Sequence, residues 1–373
     1  MYHQVRHLAV LIKAVGGWPI REEAGGGYAA VPLRSWPAFR CLFIVMLLVS
    51  MACAALHRTI NEYADVEFVE RVTGIFHVLI EISILVVPVF HWRAAHNLAS
   101  YFNDWRHFEV EWRELTGTPL LPILTGVRTV RVWASLCFAY AVLSIISSSF
   151  LSPDLKRNQW KTPLYMAVLL HTVSMAALWS LLNCQVIRVC RALRLHLQHE
   201  LKSRTALDVE RVKHYCLAWL HVRDIFRSVK TSWGSVMSRW FIVVPGSALL
   251  ALFISFAALI NGHYRRTITT LFVSITNAAY VVLVCLSAEA AEKECWRGIR
   301  LELLNHPVHK ISDRTVTEIF HFLRRIQNDD VKIHLNGNLV VNNSLPVAII
   351  KLMVTWIVVL AQFALSRKQM NIG

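Results

Sequence analysis

The sequence predicts an all-α membrane protein with seven transmembrane helices. Hydrophobic residues make up 55% of the 373 positions and the mean hydropathy is +0.44, a more apolar composition than that of a soluble domain. Apolar windows of about 20 residues, the length that crosses a bilayer core, recur along the chain. They fall at Phe39–Leu56, Gly74–Trp92, Arg131–Leu151, Leu164–Ile187, Trp240–Asn261, Ile268–Ala288 and Leu345–Ala364.

Charge and cysteine distribution predict which side of the membrane each end occupies. An odd number of spans places the two ends on opposite sides, and the first span is expected to act as an uncleaved signal anchor. Lys and Arg are more numerous in the segments on the N-terminal side, which the positive-inside rule assigns to the cytosol. None of the eight cysteines lies in a predicted outer loop, so no disulfide is needed in the oxidising compartment. We therefore expect a cytosolic N-terminus and an extracellular C-terminus.

The segments between the spans differ in composition. The N-terminal segment contains Gly25-Gly26-Gly27 and two prolines, which predicts a loosely ordered arm. The longer segments after the fourth and sixth spans are expected to form cytosolic extensions. The predicted segments are the cytosolic arm (1–38), spans one to four (39–187), a helical extension (188–239), spans five and six (240–288), a helix and hairpin (289–344), and span seven with a short external tail (345–373).

Two cytosolic helices carry apolar stripes. In the first extension apolar residues follow a heptad pattern, which indicates a seam for packing on other helices. In the second, Ser312 is a candidate N-cap, and Val331–Val341 alternates around Asn336-Gly337, which predicts a hairpin before the last span. The two helices are predicted to build a helical domain beneath the membrane, with contacts made by Val212, Trp219, Val222, Phe226, Ile319 and Leu323.

The seventh span has polar residues on one face. Lys351 and Thr355 interrupt its apolar run, and Gln362 follows near its end. An amide within a membrane costs free energy unless it meets a partner, another helix or water. Because Thr355, either Val358 or Val359, and Gln362 share a face at helical spacing, this face is predicted to form a buried interface or to line a narrow pore.

The end of this span also resembles a known motif. TWIVVLAQF, from Thr355 to Phe363, is similar to the sequence that closes the last span of insect gustatory receptors: Thr-Tyr, five mostly apolar residues, then Gln-Phe. Trp356 replaces the Tyr. GNLVVNNSL, from Gly337 to Leu345, resembles the segment that leads into that span. The resemblance implies a homotetrameric channel in the plasma membrane, in which extended cytosolic helices form an anchor domain and the seventh helix of each subunit lines the pore.

The resemblance further implies a ligand-gated, non-selective cation channel with defined partners. Gln362 would offer amide oxygens to partly hydrated cations, and Val359 and Phe363 would form apolar rings that close the pathway, with Thr355 on the same face. The implied partners are a small-molecule tastant, permeating cations, membrane lipids, and identical or related receptor subunits. No cofactor or metal is expected.

A ligand pocket is expected in the outer halves of the spans. His77 and Glu81 are four residues apart in the second span, and an ionisable group there indicates either a functional site or a pair packed between helices. A cavity lined by aromatic and a few polar groups is typical of small-molecule sites. The candidate residues are His77, Glu81, Tyr140, Tyr165, His171, Phe253, Asn277 and Tyr280, and each also has a packing explanation.

Other classes of protein fit the sequence less well. An insect odorant receptor subunit is the nearest alternative, since it shares the span count. A G-protein-coupled receptor is disfavoured by the predicted cytosolic N-terminus and by the lack of an acidic-Arg-aromatic motif after span three and of an Asn-Pro motif within span seven. A transporter would often show an internal repeat or broken helices, which we do not find. Motifs of catalysis and of nucleic-acid binding are also missing, so neither an enzyme nor a nucleic-acid-binding protein is expected.

Overall fold

The computed structural model describes residues 2–14, 17–32, 34–62, 74, 90–120, 127–151, 162–202, 208–305, 312–329, 332–335 and 340–370. Within these residues the chain is almost entirely helical. The elements in chain order are α1 (Tyr2–Ala14), β1 (Ile20–Glu22), β2 (Tyr28–Ala30), α2 (Trp36–Glu62), α3 (Ala95–Thr116), α4 (Val127–Leu151), α5 (Thr162–Lys202), α6 (Val209–Ile260), α7 (Tyr264–Lys293), a π-helical turn (Glu294–Gly298), α8 (Ile299–Leu304), α9 (Asp313–Gln327) and α10 (Ser344–Met370).

Six of the seven predicted spans lie within described helices, namely α2, α4, α5, α6, α7 and α10. By length and composition α2, α5, α6 and α7 are long and apolar enough to cross a membrane, and α4 and α10 contain shorter apolar stretches. The predicted second span, Gly74–Trp92, lies almost wholly outside the described residues, as do His77 and Glu81. The all-helical prediction is therefore confirmed for the described part of the chain.

Three helices continue well beyond a bilayer thickness. α5 has 41 residues and α6 has 52, which at 1.5 Å per residue correspond to about 60 and 80 Å, against a hydrocarbon core of about 30 Å. α7 is prolonged by the π-helical turn and α8. These continuations pack on one another and on α3 and α9. The extended helices therefore build a helical layer at one end of the spans, as the sequence predicts.

The N-terminal segment is not the loosely ordered arm that its glycines suggest. α1 buries Leu8 and Ile12, which lie one turn apart on the same face. β1 and β2 pair as a hairpin whose turn uses Gly26 at φ +75°, where glycine has no steric cost. Trp18 is buried against Phe102 and Trp233, at centroid distances of 6.0 and 6.1 Å. The glycines thus form a tight turn, and the apolar residues around it fix the segment on the core.

Candidate functional site

The apolar stripe of α6 forms the centre of the helical layer built by the extended helices, and we call this centre the anchor core. Trp219 lies edge-on to Trp296 and Phe322, at centroid distances of 5.8 and 5.7 Å. Its indole Nε1 donates a hydrogen bond to the backbone oxygen of Cys295, 3.0 Å away. Phe226 packs on the same Trp296 ring at 6.0 Å. One stripe therefore joins α6 to the π-helical turn and to α9.

The predicted contact residues are buried by other helices of the same chain, and the α6 and α9 stripes meet as the sequence predicts. The six residues, with exposures of 0–8%, are Val212, Trp219, Val222, Phe226, Ile319 and Leu323.

α9 is capped at its N-terminus and is held on α6 just beyond its C-terminus. Ser312 caps its N-terminus, because its Oγ accepts a hydrogen bond from the backbone N–H of Thr315 at 3.3 Å, as the sequence predicts. Beyond its C-terminus the Asp329 carboxylate pairs with Arg223 of α6, with 2.6 Å between Nη1 and Oδ2, and also with Arg227. The hairpin predicted after α9 is supported by a bridge between His334 and Val340, although its turn lies outside the described residues.

A cleft of about 770 Å³ lies between α3 and α6 on the outer side of the anchor core. His221 Nδ1 and Glu111 Oε2 are 2.7 Å apart across it. Burial raises the pKa of the Asp104 carboxyl, and His221 and His107 partly oppose that shift. This group of residues cannot be predicted from the sequence, because its members are spread over two helices that no local spacing connects. The lining includes Asp104, Glu111, Glu114, His214, His221, Arg223 and Asp224.

The seventh span, α10, is attached to the rest of the chain along one narrow stripe. Pro346 and Met353 are buried, Ile349 and Ile357 are partly buried, and the helix contacts α6 and α7. These four residues, which we call the docking stripe, recur every three or four positions and so lie on one face. At the start of the helix the backbone N–H of Asn343 donates to the Glu289 carboxylate of α7 at 2.7 Å.

The predicted pore residues lie on the other side of α10. At about 100° per residue, Thr355 and Gln362 are roughly opposite the docking stripe, and both are exposed in the single chain. Val359 is partly exposed, and the side chain of Phe363 is outside the described part. Lys351 shares the exposed face, and its position near the start of the span lets its ammonium reach water. The hydroxyl of Thr355 donates to the backbone oxygen of Lys351 at 3.0 Å.

Two of the predicted ligand residues come together between α4 and α7. Tyr140 and Tyr280 meet edge to face at a centroid distance of 6.0 Å, and both are partly buried. Phe272 approaches the other side of Tyr140 at 6.4 Å. The sequence analysis missed Phe272, although its spacing of eight residues from Tyr280 places both on one face of α7. Asn277, one turn before Tyr280, donates from Nδ2 to Ser247 Oγ at 2.8 Å.

The other described candidates lie in different surroundings. His171 is edge-on to His91, with 5.3 Å between the ring centroids, and the next residue of α5, Thr172, accepts a hydrogen bond from Trp240 Nε1 at 3.3 Å. Phe253 is buried within α6, and Tyr165 is partly buried in the first turn of α5. The predicted set is therefore distributed over several contacts of the helical bundle.

The extended helices, the anchor core and the exposed face of α10 together define a multi-span helical membrane protein whose last span is only partly covered by its own chain. A family model described as 7tm Chemosensory receptor matches residues 30–367. The chain belongs to this family of seven-span chemosensory receptors. The resemblance of the last span is thus confirmed at the level of the family.

Curated relatives and solved structures agree with this assignment. The chain is 22% identical over 384 residues to gustatory and odorant receptor 21a of Drosophila melanogaster, covering 100% of this chain and 82% of the relative. It is 22% identical to gustatory and odorant receptor 22 of Anopheles gambiae, covering 98% and 79%. Its fold matches the olfactory receptor OR5 of Machilis hrabei, solved in complex with eugenol, with a TM-score of 0.67, 12% identity, and coverage of 96% of this chain and 97% of OR5.

Proposed function

We propose that the protein is a gustatory chemoreceptor that assembles as a tetramer and acts as a ligand-gated, non-selective cation channel opened by a small-molecule tastant. The observation that carries the proposal is the geometry of α10. Its docking stripe faces α6 and α7, and the opposite face, with Thr355 and Gln362, is exposed. An amide exposed within a span needs water or a protein partner. Four such faces around a central axis would supply both water, in a pore, and protein partners, from the neighbouring subunits.

The arrangement of the cytosolic layer supports the proposed orientation in the plasma membrane. Trp18 from the N-terminal segment and Leu335 from the segment before α10 belong to one buried cluster with the first half of α6. The N-terminal segment and these extensions therefore lie on the same side. Because the Lys/Arg distribution assigns that side to the cytosol, the N-terminus is cytosolic and the C-terminus, after one further span, extracellular. Antibody access to terminal tags on intact cells tests this orientation.

The proposed ligand site is the region around Tyr140 and Tyr280. The two rings and Phe272 form an aromatic cluster with the polar group of Asn277 one turn away on α7, a combination typical of sites for small, mostly apolar molecules. His77, Glu81, Tyr165, His171 and Phe253 remain candidates. The pore residues remain Thr355, Val359, Gln362 and Phe363.

The proposal is tested by cysteine substitution along α10 in cells that express the chain alone. Thr355→Cys and Gln362→Cys should react with a water-soluble thiol reagent and change the ligand-evoked current, since a pore admits water to that face. Met353→Cys and Ile357→Cys, on the docking stripe, are the matched controls and should resist the reagent. Equal modification of both faces, or a receptor that passes no ligand-evoked current with any tested partner subunit, would contradict the pore assignment.

A second candidate is an odorant receptor channel subunit. The names of the relatives join gustatory and odorant reception, and the fold matches an olfactory receptor solved with eugenol. Both candidates use the same exposed face of α10, so the cysteine experiment does not separate them. A panel that contains volatile and non-volatile compounds does, because a gustatory receptor should respond to dissolved tastants that never reach the vapour phase.

A further inference from the structure

Two cysteines from distant parts of the sequence meet in the anchor core. Cys190 lies on the cytosolic continuation of α5, and Cys295 lies in the π-helical turn after α7. Their Sγ atoms are 2.7 Å apart although the residues are separated by 105 positions. Both are free thiols, with exposures of 0% and 1%. A disulfide bond is about 2.05 Å long, so the two sulfurs need to approach by less than about 1 Å to form one.

Contacts on either side hold the two backbones at this separation. Arg194, one turn after Cys190, pairs with Glu294, next to Cys295, with 3.0 Å between Nη1 and Oε1. The indole of Trp219 binds the backbone oxygen of Cys295. Gly298 faces Arg194 so closely that a Cβ there would lie 3.1 Å from Nη1. The thiols are therefore fixed by a close approach of α5 to the π-helical turn, and such turns are frequent at functional positions.

We propose that Cys190 and Cys295 form an oxidisable dithiol, which a small peroxide converts into a disulfide that links α5 to the π-helical turn. Two S–H bonds break and one S–S bond forms. Hydrogen peroxide accepts the two electrons and, with the two thiol protons, leaves as two water molecules. A metal site is a poorer explanation, because two thiolates do not complete a tetrahedral shell and the described residues contain no group of three metal-ligating side chains.

The location of the cysteine pair explains why the disulfide would form only under oxidising conditions. It also indicates that the disulfide would restrain the end of α7. Cytosolic thiols are kept reduced, and disulfides there are usually transient or redox-sensing. Six residues before Cys295, Glu289 accepts the hydrogen bond from Asn343 at the start of α10. A covalent link at Cys295 therefore restrains the end of α7 that holds the last span. The proposed dithiol rests on the proposed cytosolic side of the extensions, but it does not depend on whether α10 lines a pore.

The test uses the purified full-length receptor in lipid nanodiscs, treated with hydrogen peroxide, denatured, alkylated and digested without reductant. Mass spectrometry should recover a peptide pair linked through Cys190 and Cys295, which dithiothreitol separates. Because the link closes a long loop, the thermal midpoint of the oxidised receptor should rise by a few degrees and return after reduction. Cys190→Ala and Cys295→Ala should lose both effects. Cys216→Ala, which removes a buried cysteine outside the pair, is the matched control and should keep them.

The wild-type receptor decides the question even if an alanine variant fails to fold. Recovery of both cysteines as alkylated thiols, at peroxide doses that already oxidise methionine, would overturn the proposal. So would a product in which either residue is linked to a different cysteine. A linked peptide with an unchanged thermal midpoint would support the dithiol but overturn the inferred restraint of α7.

Discussion

The anchor core and the seventh span, α10, differ in how much of their apolar surface the single chain buries. On the α6 stripe Trp219 and Phe226 have exposures of 1% and 2%. On α10 Leu352, Val354 and Trp356 have exposures of 58%, 56% and 50%. The two helices have comparable apolar character but opposite surroundings. The apolar residues of the anchor core are buried within their own chain. The exposed apolar residues of α10 are left for lipid, water or another subunit to cover.

The difference indicates how stability and function are separated along the chain. The anchor core holds its position through close packing, which tolerates little change. Within the described part of the chain, α10 is held by the docking stripe, together with the hydrogen bond from Asn343 to Glu289. A helix with so few intramolecular contacts can change its position at a smaller cost than a helix within the core. Substitutions in the first region should therefore affect folding, and those in the second should affect what the folded receptor does.

The largest effect is expected from introducing charge into the anchor core. Trp219→Asp together with Phe226→Asp places two carboxylates in a closely packed apolar interior, where the nearby Arg223 already pairs with Asp224 and Asp329, at a cost of several kcal/mol each. We expect almost complete loss of folded receptor, measured as monodisperse protein after detergent extraction and as surface labelling. Leu217→Asp is the control, because Leu217 lies on the same helix with an exposure of 55%. A double variant that folds as well as this control would show that the core is not essential.

A large change in function, without loss of folding, is expected at Gln362. Gln362→Glu and Gln362→Arg should shift cation over anion permeability in opposite directions, since each charge acts on a nearby ion with about 1 kcal/mol at 4 Å even in water. The measurement is the reversal potential in asymmetric salt. Gln362→Met, which removes the amide without adding charge, should leave the sign of selectivity unchanged. Identical reversal potentials in all three variants would mean that ions pass elsewhere.

Much of the contrast between the anchor core and α10 can be predicted from the sequence. The features that cannot be predicted share one cause, which is that they depend on contacts between helices far apart in the chain. The lengths of the spans, the Ser312 cap and the shared face of Thr355 and Gln362 follow from local periodicity and capping chemistry. The burial of Trp18 depends on α3 and α6, which lie far away in sequence. For the same reason the apolar stripes predicted the contact of α6 with α9 but not the contact of Trp219 with Trp296 of the π-helical turn. The approach of Tyr140 to Tyr280 likewise required the packing of α4 on α7.

A moderate effect is expected at the aromatic cluster between α4 and α7. Tyr280→Ala removes one ring of the proposed ligand site, and an aromatic contact with the ligand contributes about 1 kcal/mol, or roughly fivefold in a binding constant. The concentration of ligand that gives a half-maximal response should rise by about that factor, with normal surface expression. Leu283→Ala, one turn further along α7 with an exposure of 37%, is the control. Unchanged midpoints in both Tyr140→Ala and Tyr280→Ala would place the ligand site elsewhere.

The smallest effect is expected from a substitution at the N-terminus of α9. This substitution tests whether the anchor core can be weakened slightly without disturbing the last span. Ser312 Oγ accepts the hydrogen bond from Thr315 N–H, so Ser312→Ala leaves that donor without its cap and should cost about 1 kcal/mol. In a chain of this length the thermal midpoint should fall by roughly 1–2 °C, and ion selectivity should not change. Thr317→Ala is the matched control, because its hydroxyl bonds to the Asp313 backbone oxygen within the same helix and Ala has the higher helix propensity. Equal midpoints for the two variants would show that the cap contributes nothing. Altered selectivity in Ser312→Ala would show instead that a small change in the anchor reaches α10, and that the two regions are coupled more tightly than their packing indicates.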